Sequence, residues 1–431
     1  TGVQTCALPI CEFLYVSPLF PPRTEVGALR PLKFLRHLSK HGWRAVVLAD
    51  RGRGPGSSAL ERCVPDGVRV AWEYADPRPP RARVGRSTPR VGRSTPRAPG
   101  PLAWLSDPDV FPIVAELPGL RRATKAGLRI LESSPDIEAI MVNADPYGAL
   151  LVGAGLARAS GLPLVLDLRD PWSQCSLRRA RRPALAQRWV EWLERSAFAR
   201  ASAIILNTET ALEAYRAAYR DFDPSLFCCI RNHHDRELNW LDAGGEVGPL
   251  AGDDKASLLF LGGFRRHVEG DVLLEVLSRL KARGLGDRVR LVVTGRLIPE
   301  TWAAARRMGV EEMLLDHPFV PLTETGPVME AADVLVALNN RTDQRIMAKL
   351  YDYATSTRPV LVMARSPELE RLCAQVKMQY VDLEDVDAAA AWLAERLSSG
   401  RPAAVPRDVR PLSSEAATAR LAAILDAVTA A

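Results

Sequence analysis

Short apolar runs alternate with amphipathic stretches along most of this chain. Residues 13–17, 44–49, 68–74, 139–143, 163–168, 203–206 and 226–230 have the length and composition of strands. Between them, apolar positions spaced three and four apart predict helices from Val26 to about His41 and Gly42, over 109–133, from Pro146 to Gly161, and after Thr208. A second series begins with a strand at 258–261 and a helix to about Arg283. It continues through strands at 289–294 and 314–320, a helix at 324–332, and strands at 334–338 and 359–363. Strands covered on both faces read as continuous apolar runs, and their alternation with helices at short intervals indicates parallel sheets. The last helix, after Ser413 or Ser414, puts Leu421, Ile424, Leu425 and Val428 on one face, a core-facing pattern.

A length of 431 residues is enough for two such cores. The domains expected are 13–232 and 257–400, with 233–256 as a linker. Residues 1–12 open with TGVQTCALPI, which lacks an initiating Met and a basic n-region, and they read as a leader foreign to the fold. Residues 76–101 are rich in Pro and Arg and repeat VGRSTPR at 84–90 and 91–97, so they cannot bury a core and read as a disordered insertion. Two readings of that insertion stay open: a polybasic arm touching anionic lipid, and a tolerated loop duplication.

The net charge of +6 comes mostly from arginines, clustered at 78–97 and 178–188. Charge alone does not make a nucleic-acid binder, and none is expected as a partner. No apolar run approaches the roughly 18 to 20 residues that span a bilayer. The seven cysteines are odd in number, scattered and without metal-ligand spacing, which reads as reduced thiols in a cytoplasmic protein.

Chemistry concentrates in 331–362, where a short apolar strand leads into the polar run from Asn339 to Arg345, a short helix and another strand. The polar residues then sit beyond the carboxyl end of a strand, where open α/β sheets bind ligands. The signature is Lys349-Leu350-Tyr351-Asp352-Tyr353, followed by Arg358-Pro359-Val360. It resembles the donor-binding segment of retaining GT-B glycosyltransferases, the large family (glycosyltransferase family four-like) that includes bacterial cell-surface polysaccharide enzymes. The opening SPLFPPRTEVGALRPLKFLRHLSKHGWRAVVLA resembles the start of the same family, including its paired prolines, Gly27 and Arg30. The resemblance runs from Phe13 to about Leu372. It implies an α/β chain of GT-B type, two Rossmann-like domains with parallel sheets facing across a cleft. It also implies a 401–431 segment whose helix packs back toward the first domain.

On the donor side, Gly263 before a helix, with Arg265 and Arg266 beside it, suits a diphosphate. Glu269 stands where many family members carry lysine. Gly295, after the strand 289–294, is a further donor-side candidate. The resemblance implies that Phe319 and Val320 lie near the nucleotide base, although both also suit the end of a buried strand. It further implies a pair of acids seven positions apart, which by register are Asp352, toward the donor ribose, and Gln344, which cannot ionise. Lys349 and the arginines at 265 and 266 are the cations expected to meet the leaving diphosphate. With no Asp-x-Asp pair in a suitable context, neither a metal nor another cofactor is expected.

On the acceptor side, Gly27 lets a ligand approach the N-terminus of the first helix. Arg169-Asp170-Pro171-Trp172 follows a strand and resembles the family's acceptor-side sequence. Asp170 can orient or deprotonate an acceptor hydroxyl and Trp172 can stack on a sugar, or else Arg169 and Asp170 form a structural pair and Trp172 packs. The helix to about Arg200 carries Trp189 and Trp192 with basic residues, which suits either a membrane surface or packing on the domain; Glu191 and Glu194 oppose the first. His233 replaces a family glycine beside His234, a pair with no third metal ligand at suitable spacing.

The activity implied is transfer of a sugar, hexosyltransferase-like, from a nucleotide-diphosphate sugar to a glycan or lipid-linked acceptor in cell-envelope polysaccharide, lipopolysaccharide or glycolipid synthesis. It would be metal-independent and retaining, in the cytoplasm or peripheral at the inner face of an anionic membrane. Two other readings stay open: a degenerate GT-B scaffold that binds a sugar nucleotide or a partner without catalysis, and a sugar-nucleotide epimerase.

Overall fold

The computed structural model describes residues 10–52, 56–74, 113, 116–144, 146–242, 255–264, 270–295, 297–339, 345–398 and 400–430. The insertion at 76–101 and the middle of the linker, 243–254, lie outside these residues. The described residues divide into two compact units. One comprises those within Thr1–Asn207, Ala211–Ile230 and Thr418–Ala431, and the other those within Thr208–Thr210 and Arg231–Ala417.

The first unit is built on β1 (Cys11–Val16), β2 (Trp43–Leu48), β3 (Arg69–Ala71), β4 (Ile137–Asn143), β5 (Leu164–Leu168), β6 (Ala203–Leu206) and β7 (Phe227–Cys229). The strands are all parallel, in the order β3-β2-β1-β4-β5-β6-β7. Cys11 and Glu12, expected to belong to an unstructured leader, are instead the first residues of β1 and pair with Trp43 and Arg44. Backbone pairing with β2 accounts for that, and it needs no apolar side chain at either position. Leu14, Val16, Ile140, Val142, Leu166 and Leu206 point to one face and join the main core. By the period of two, Tyr15, Asn143 and Asp167 share the other face.

The second unit has β8 (Ala256–Leu261), β9 (Val289–Thr294), β10 (Leu314–His317), β11 (Val334–Leu338), β12 (Val360–Ala364) and β13 (Gln379–Asp382), parallel in the order β10-β9-β8-β11-β12-β13. Strand β10 stops short of the expected 320 because Pro318 follows His317 and has no N–H for the ladder. The strand Gln379–Asp382 and the helices Pro367–Gln375 and Val386–Leu397 complete the unit beyond the elements anticipated. Apolar clusters fill both faces of this sheet, so its four inner strands are almost wholly apolar and buried, unlike β10 and β13 at the edges.

In each sheet the strand order reverses beside the first strand of the unit, β1 between β2 and β4, and β8 between β9 and β11. That reversal opens a crevice at the carboxyl ends of the strands. Both groups of candidate residues fall at those ends.

Candidate functional site

In the second unit the site begins where β8 ends. Gly262 follows Leu261 with φ +97°, a conformation that a side chain would oppose, and donates its N–H to Thr294 Oγ1 at 3.0 Å. Gly295, just past β9, lies against Gly263 so closely that a Cβ on it would come 2.3 Å from the Gly263 nitrogen. Two strand ends thus meet glycine on glycine, with bare backbone at the carboxyl edge of the sheet.

The helix Ala348–Ala354 carries the Lys-aromatic-acid-Tyr run, and the spacing of four puts Lys349 and Tyr353 on the same side of it. The Tyr353 hydroxyl accepts from the Leu261 N–H at 2.8 Å and donates to the Val336 carbonyl at 3.3 Å. Burial pushes this phenol well above its ordinary value, so it stays protonated and able to donate. Lys349 Nζ donates to the Leu261 carbonyl at 2.7 Å and sits 3.4 Å from the centroid of the Phe260 ring. Both backbone groups of one residue, the last before the glycine turn, are therefore held by the two ends of a single motif.

Asp352 is on the same helix and is buried. Val320 is buried in the apolar cluster with Leu261 and Leu350, whereas Phe319 beside it is 71% exposed. Asn339, at the end of β11, donates from Nδ2 to the Arg345 carbonyl at 2.9 Å. Arg265, Arg266 and Gln344 lie outside the described residues. The neighbouring histidines are both engaged: His233 Nδ1 is 3.0 Å from Ser414 Oγ, and His234 Nε2 donates to the Val409 carbonyl at 2.9 Å. Among the described residues no cluster of three or more His, Cys, Asp or Glu is arranged for a metal.

In the first unit the candidates divide. Gly27 lies in the first turn of the helix Val26–Leu38, where its carbonyl accepts from Asn143 Nδ2 at 3.2 Å. Arg30, further along the helix, forms a bidentate pair with Asp167 at 2.8 and 3.0 Å and also donates to the Ile230 carbonyl at 2.8 Å. Arg169 Nη2 lies 3.3 Å from Asp170 Oδ2 in a pair that is only partly buried.

Trp172 is a correction to the sugar-stacking expectation. It is fully buried, stacked on Tyr147 at 4.8 Å between centroids and 4° between planes, and its backbone N–H donates to the Tyr215 hydroxyl at 2.8 Å. An indole with no exposed face anchors the loop and cannot stack on a ligand. The next residue, Ser173, donates its N–H to Glu194 at 3.1 Å, and the hydroxyls of Tyr215 and Tyr219 donate to the same carboxyl at 2.7 and 2.5 Å. Burial raises the Glu194 pKa above the ordinary range for a carboxyl. Beside this network a cavity of about 460 Å³ is lined by Gln174, Arg179, Glu191, Arg195, Tyr219 and three alanines.

Sequence reasoning named Lys349, Asp352, Gly263 and Gly295 but passed over Tyr353, Thr294, Asp167 and Glu194 as working residues. Asp167 had a signal, a lone carboxylate inside the buried run LVLDL. Glu194 had none, because its partners lie in other segments.

Residues 30–232 match the model of a family described as Glycosyl transferase 4-like domain. No curated protein matches this chain in sequence. Among solved structures, Anabaena Alr3699/HepE in complex with UDP and glucose superposes with a TM-score of 0.63 at 14% identity, covering 97% of this chain and 100% of that one. Sucrose-phosphate synthase from Thermosynechococcus elongatus gives 0.59 at 14% identity, over 97% and 96%. A Listeria monocytogenes protein described as a UDP-N-acetylglucosamine 2-epimerase gives 0.57 at 10% identity, over 97% and 96%. The chain therefore has the α/β fold of the GT-B glycosyltransferases, and its first unit carries the match to the Glycosyl transferase 4-like domain.

Proposed function

We propose that the protein is a glycosyltransferase that takes a nucleotide-diphosphate sugar and passes the sugar, with retention and without a divalent ion, to a glycan or lipid-linked acceptor of the cell envelope. The observation that carries this reading is the Lys349–Leu261–Gly262–Gly263 arrangement closed by Gly295, which puts a cation under a side-chain-free turn at a strand-order reversal. Cleavage of a sugar-diphosphate bond builds negative charge on the departing diphosphate. Open backbone and a fixed ammonium are the groups that oppose that build-up. At about 4 Å and an effective dielectric near 20, one unit charge is worth roughly 4 kcal/mol, so removal of Lys349 is expected to cost on the order of a hundred- to a thousandfold in rate.

The structure of HepE with UDP and glucose makes a uridine nucleotide the first donor to try. Melting of the wild type and Lys349→Ala is measured with millimolar UDP, GDP or dTDP in EDTA. A nucleotide at about a hundred times its dissociation constant adds roughly 2.7 kcal/mol. Stabilisation of the wild type by one nucleotide in EDTA, lost in Lys349→Ala, supports the reading. No stabilisation by any of the three sinks it and favours a scaffold that does not bind sugar nucleotides. Conversion of UDP-N-acetylglucosamine to its epimer without an acceptor would identify an epimerase instead.

A further inference from the structure

One face of the helix Ala184–Phe198 has no role in the site described above. Its inward residues Val190, Leu193, Ala197 and Phe198 are in the core, and Glu194, which had argued against a membrane role for this helix, is fully buried with them. The outward stripe is Leu185, Arg188, Trp189 and Trp192, at helical spacings of three, one and three. Leu185 is 76% exposed and Trp192 61% exposed, while Trp189 is half-buried with its inner side against the core.

The charges around the stripe are mostly positive. Arg181 and Arg188 are exposed, Arg200 follows the end of the helix, and Arg195 on the flank pairs with Asp221 at 2.5 Å. Glu191, on the same flank, is partly buried and accepts from Gln187 Nε2 at 2.8 Å. An exposed indole and an exposed leucine on a helix with exposed arginines before, within and after it match the chemistry of a lipid interface, where the apolar side chains enter the headgroup boundary and the cations meet anionic headgroups.

We propose that this face seats the protein on an anionic lipid bilayer. Leu185 and Trp192 are the inserting side chains, and Arg181 and Arg188 are the headgroup contacts. The inference is independent of the donor reading, since none of these residues belongs to the candidate site. The arginines contribute through attraction to anionic headgroups, and the two apolar groups add to that by burial.

The test is co-sedimentation of the full chain with vesicles of neutral phosphatidylcholine alone, or of the same lipid with a third phosphatidylserine. Binding to the anionic vesicles is expected to exceed binding to the neutral ones by at least tenfold, and to weaken in high salt. Leu185→Ser/Trp192→Ser and Arg181→Glu/Arg188→Glu should each lose at least tenfold in partitioning, with unchanged melting because the sites are on the surface. A nucleotide-induced melting shift, where the wild type has one, should also be unchanged. Equal binding to both vesicle types, or full binding by both variants, overturns the proposal. So does concentration-dependent dimerisation abolished by Trp192→Ser with no lipid binding, which would make the stripe a contact between copies of this chain.

Discussion

The carboxyl ends of the two sheets solve the same topological problem with opposite chemistry. In the first unit the strand ends carry large polar groups that hold one another: Arg30 with Asp167, Asn143 with the Gly27 carbonyl, and the Trp172 loop with Tyr147, Tyr215 and Glu194. In the second unit they end in glycines, and the neighbouring helix supplies one hydroxyl and one ammonium that both hold the backbone of Leu261. Polar side chains locked in pairs make a rigid platform, whereas a turn without side chains beside a cation lets a ligand come close to the backbone. Changes in the first set should therefore appear mainly as lost stability, and changes in the second mainly as lost ligand binding.

The sharpest break comes from Asp167→Ala. Arg30 is 3% exposed and Asp167 is fully buried, so the substitution strands a guanidinium without its counter-charge. Breaking a buried pair in this way costs about 3–5 kcal/mol, against the much smaller cost of replacing both partners by apolar residues. Urea denaturation should show that loss for Asp167→Ala and recovery of most of it in Arg30→Met/Asp167→Leu. A loss below about 1 kcal/mol for the single variant would mean that the pair does not organise the platform.

Tyr353→Phe is the matching test in the second unit and should have a smaller effect on stability. It removes the hydroxyl between the Leu261 N–H and the Val336 carbonyl, and an unsatisfied buried donor costs about 1–3 kcal/mol. The difference from the first unit lies in the binding readout. Release of Leu261 loosens the glycine turn, so nucleotide affinity should fall by roughly tenfold while Asp167→Ala, assayed below its melting point, binds nucleotide normally. Equal loss of affinity in the two variants would erase the distinction.

The legibility of the chain followed the same divide. Strands 203–206, 289–294 and 334–338 match the observed Ala203–Leu206, Val289–Thr294 and Val334–Leu338, because strands buried on both faces leave unbroken apolar runs in the sequence. The strand Gln379–Asp382 left no such run, since it lies at a sheet edge and only Val381 among its four residues is buried. In the site, Lys349 and Tyr353 were visible as a motif, but their common target Leu261 is 88 and 92 residues away, and periodicity does not report contacts at that range. Trp172 was left open between stacking on a sugar and packing for the same reason: the sequence does not show that Tyr147 stacks on its ring and that Tyr215 accepts from its backbone N–H.

The smallest expected effect is a pH dependence, and it tests whether the network under the Asp170 loop is held by a neutral carboxyl. Burial raises the Glu194 pKa, so between its unfolded value, about 4.3, and its higher folded value the native state binds more protons than the unfolded state. Stability then falls as pH rises through that window, and the favourable contribution is complete only below it. Glu194→Gln keeps an oxygen to accept from the Ser173 N–H and removes the titration. Its stability relative to the wild type should therefore improve steadily as pH is raised from about 4.3 and level off once Glu194 has ionised in the native state. Urea midpoints of the two proteins from pH 4 to 8 report this difference directly. A gap that narrows in the opposite direction would show that the three hydrogen bonds to the carboxyl outweigh its burial, and that the loop carrying Asp170 rests on a buried anion.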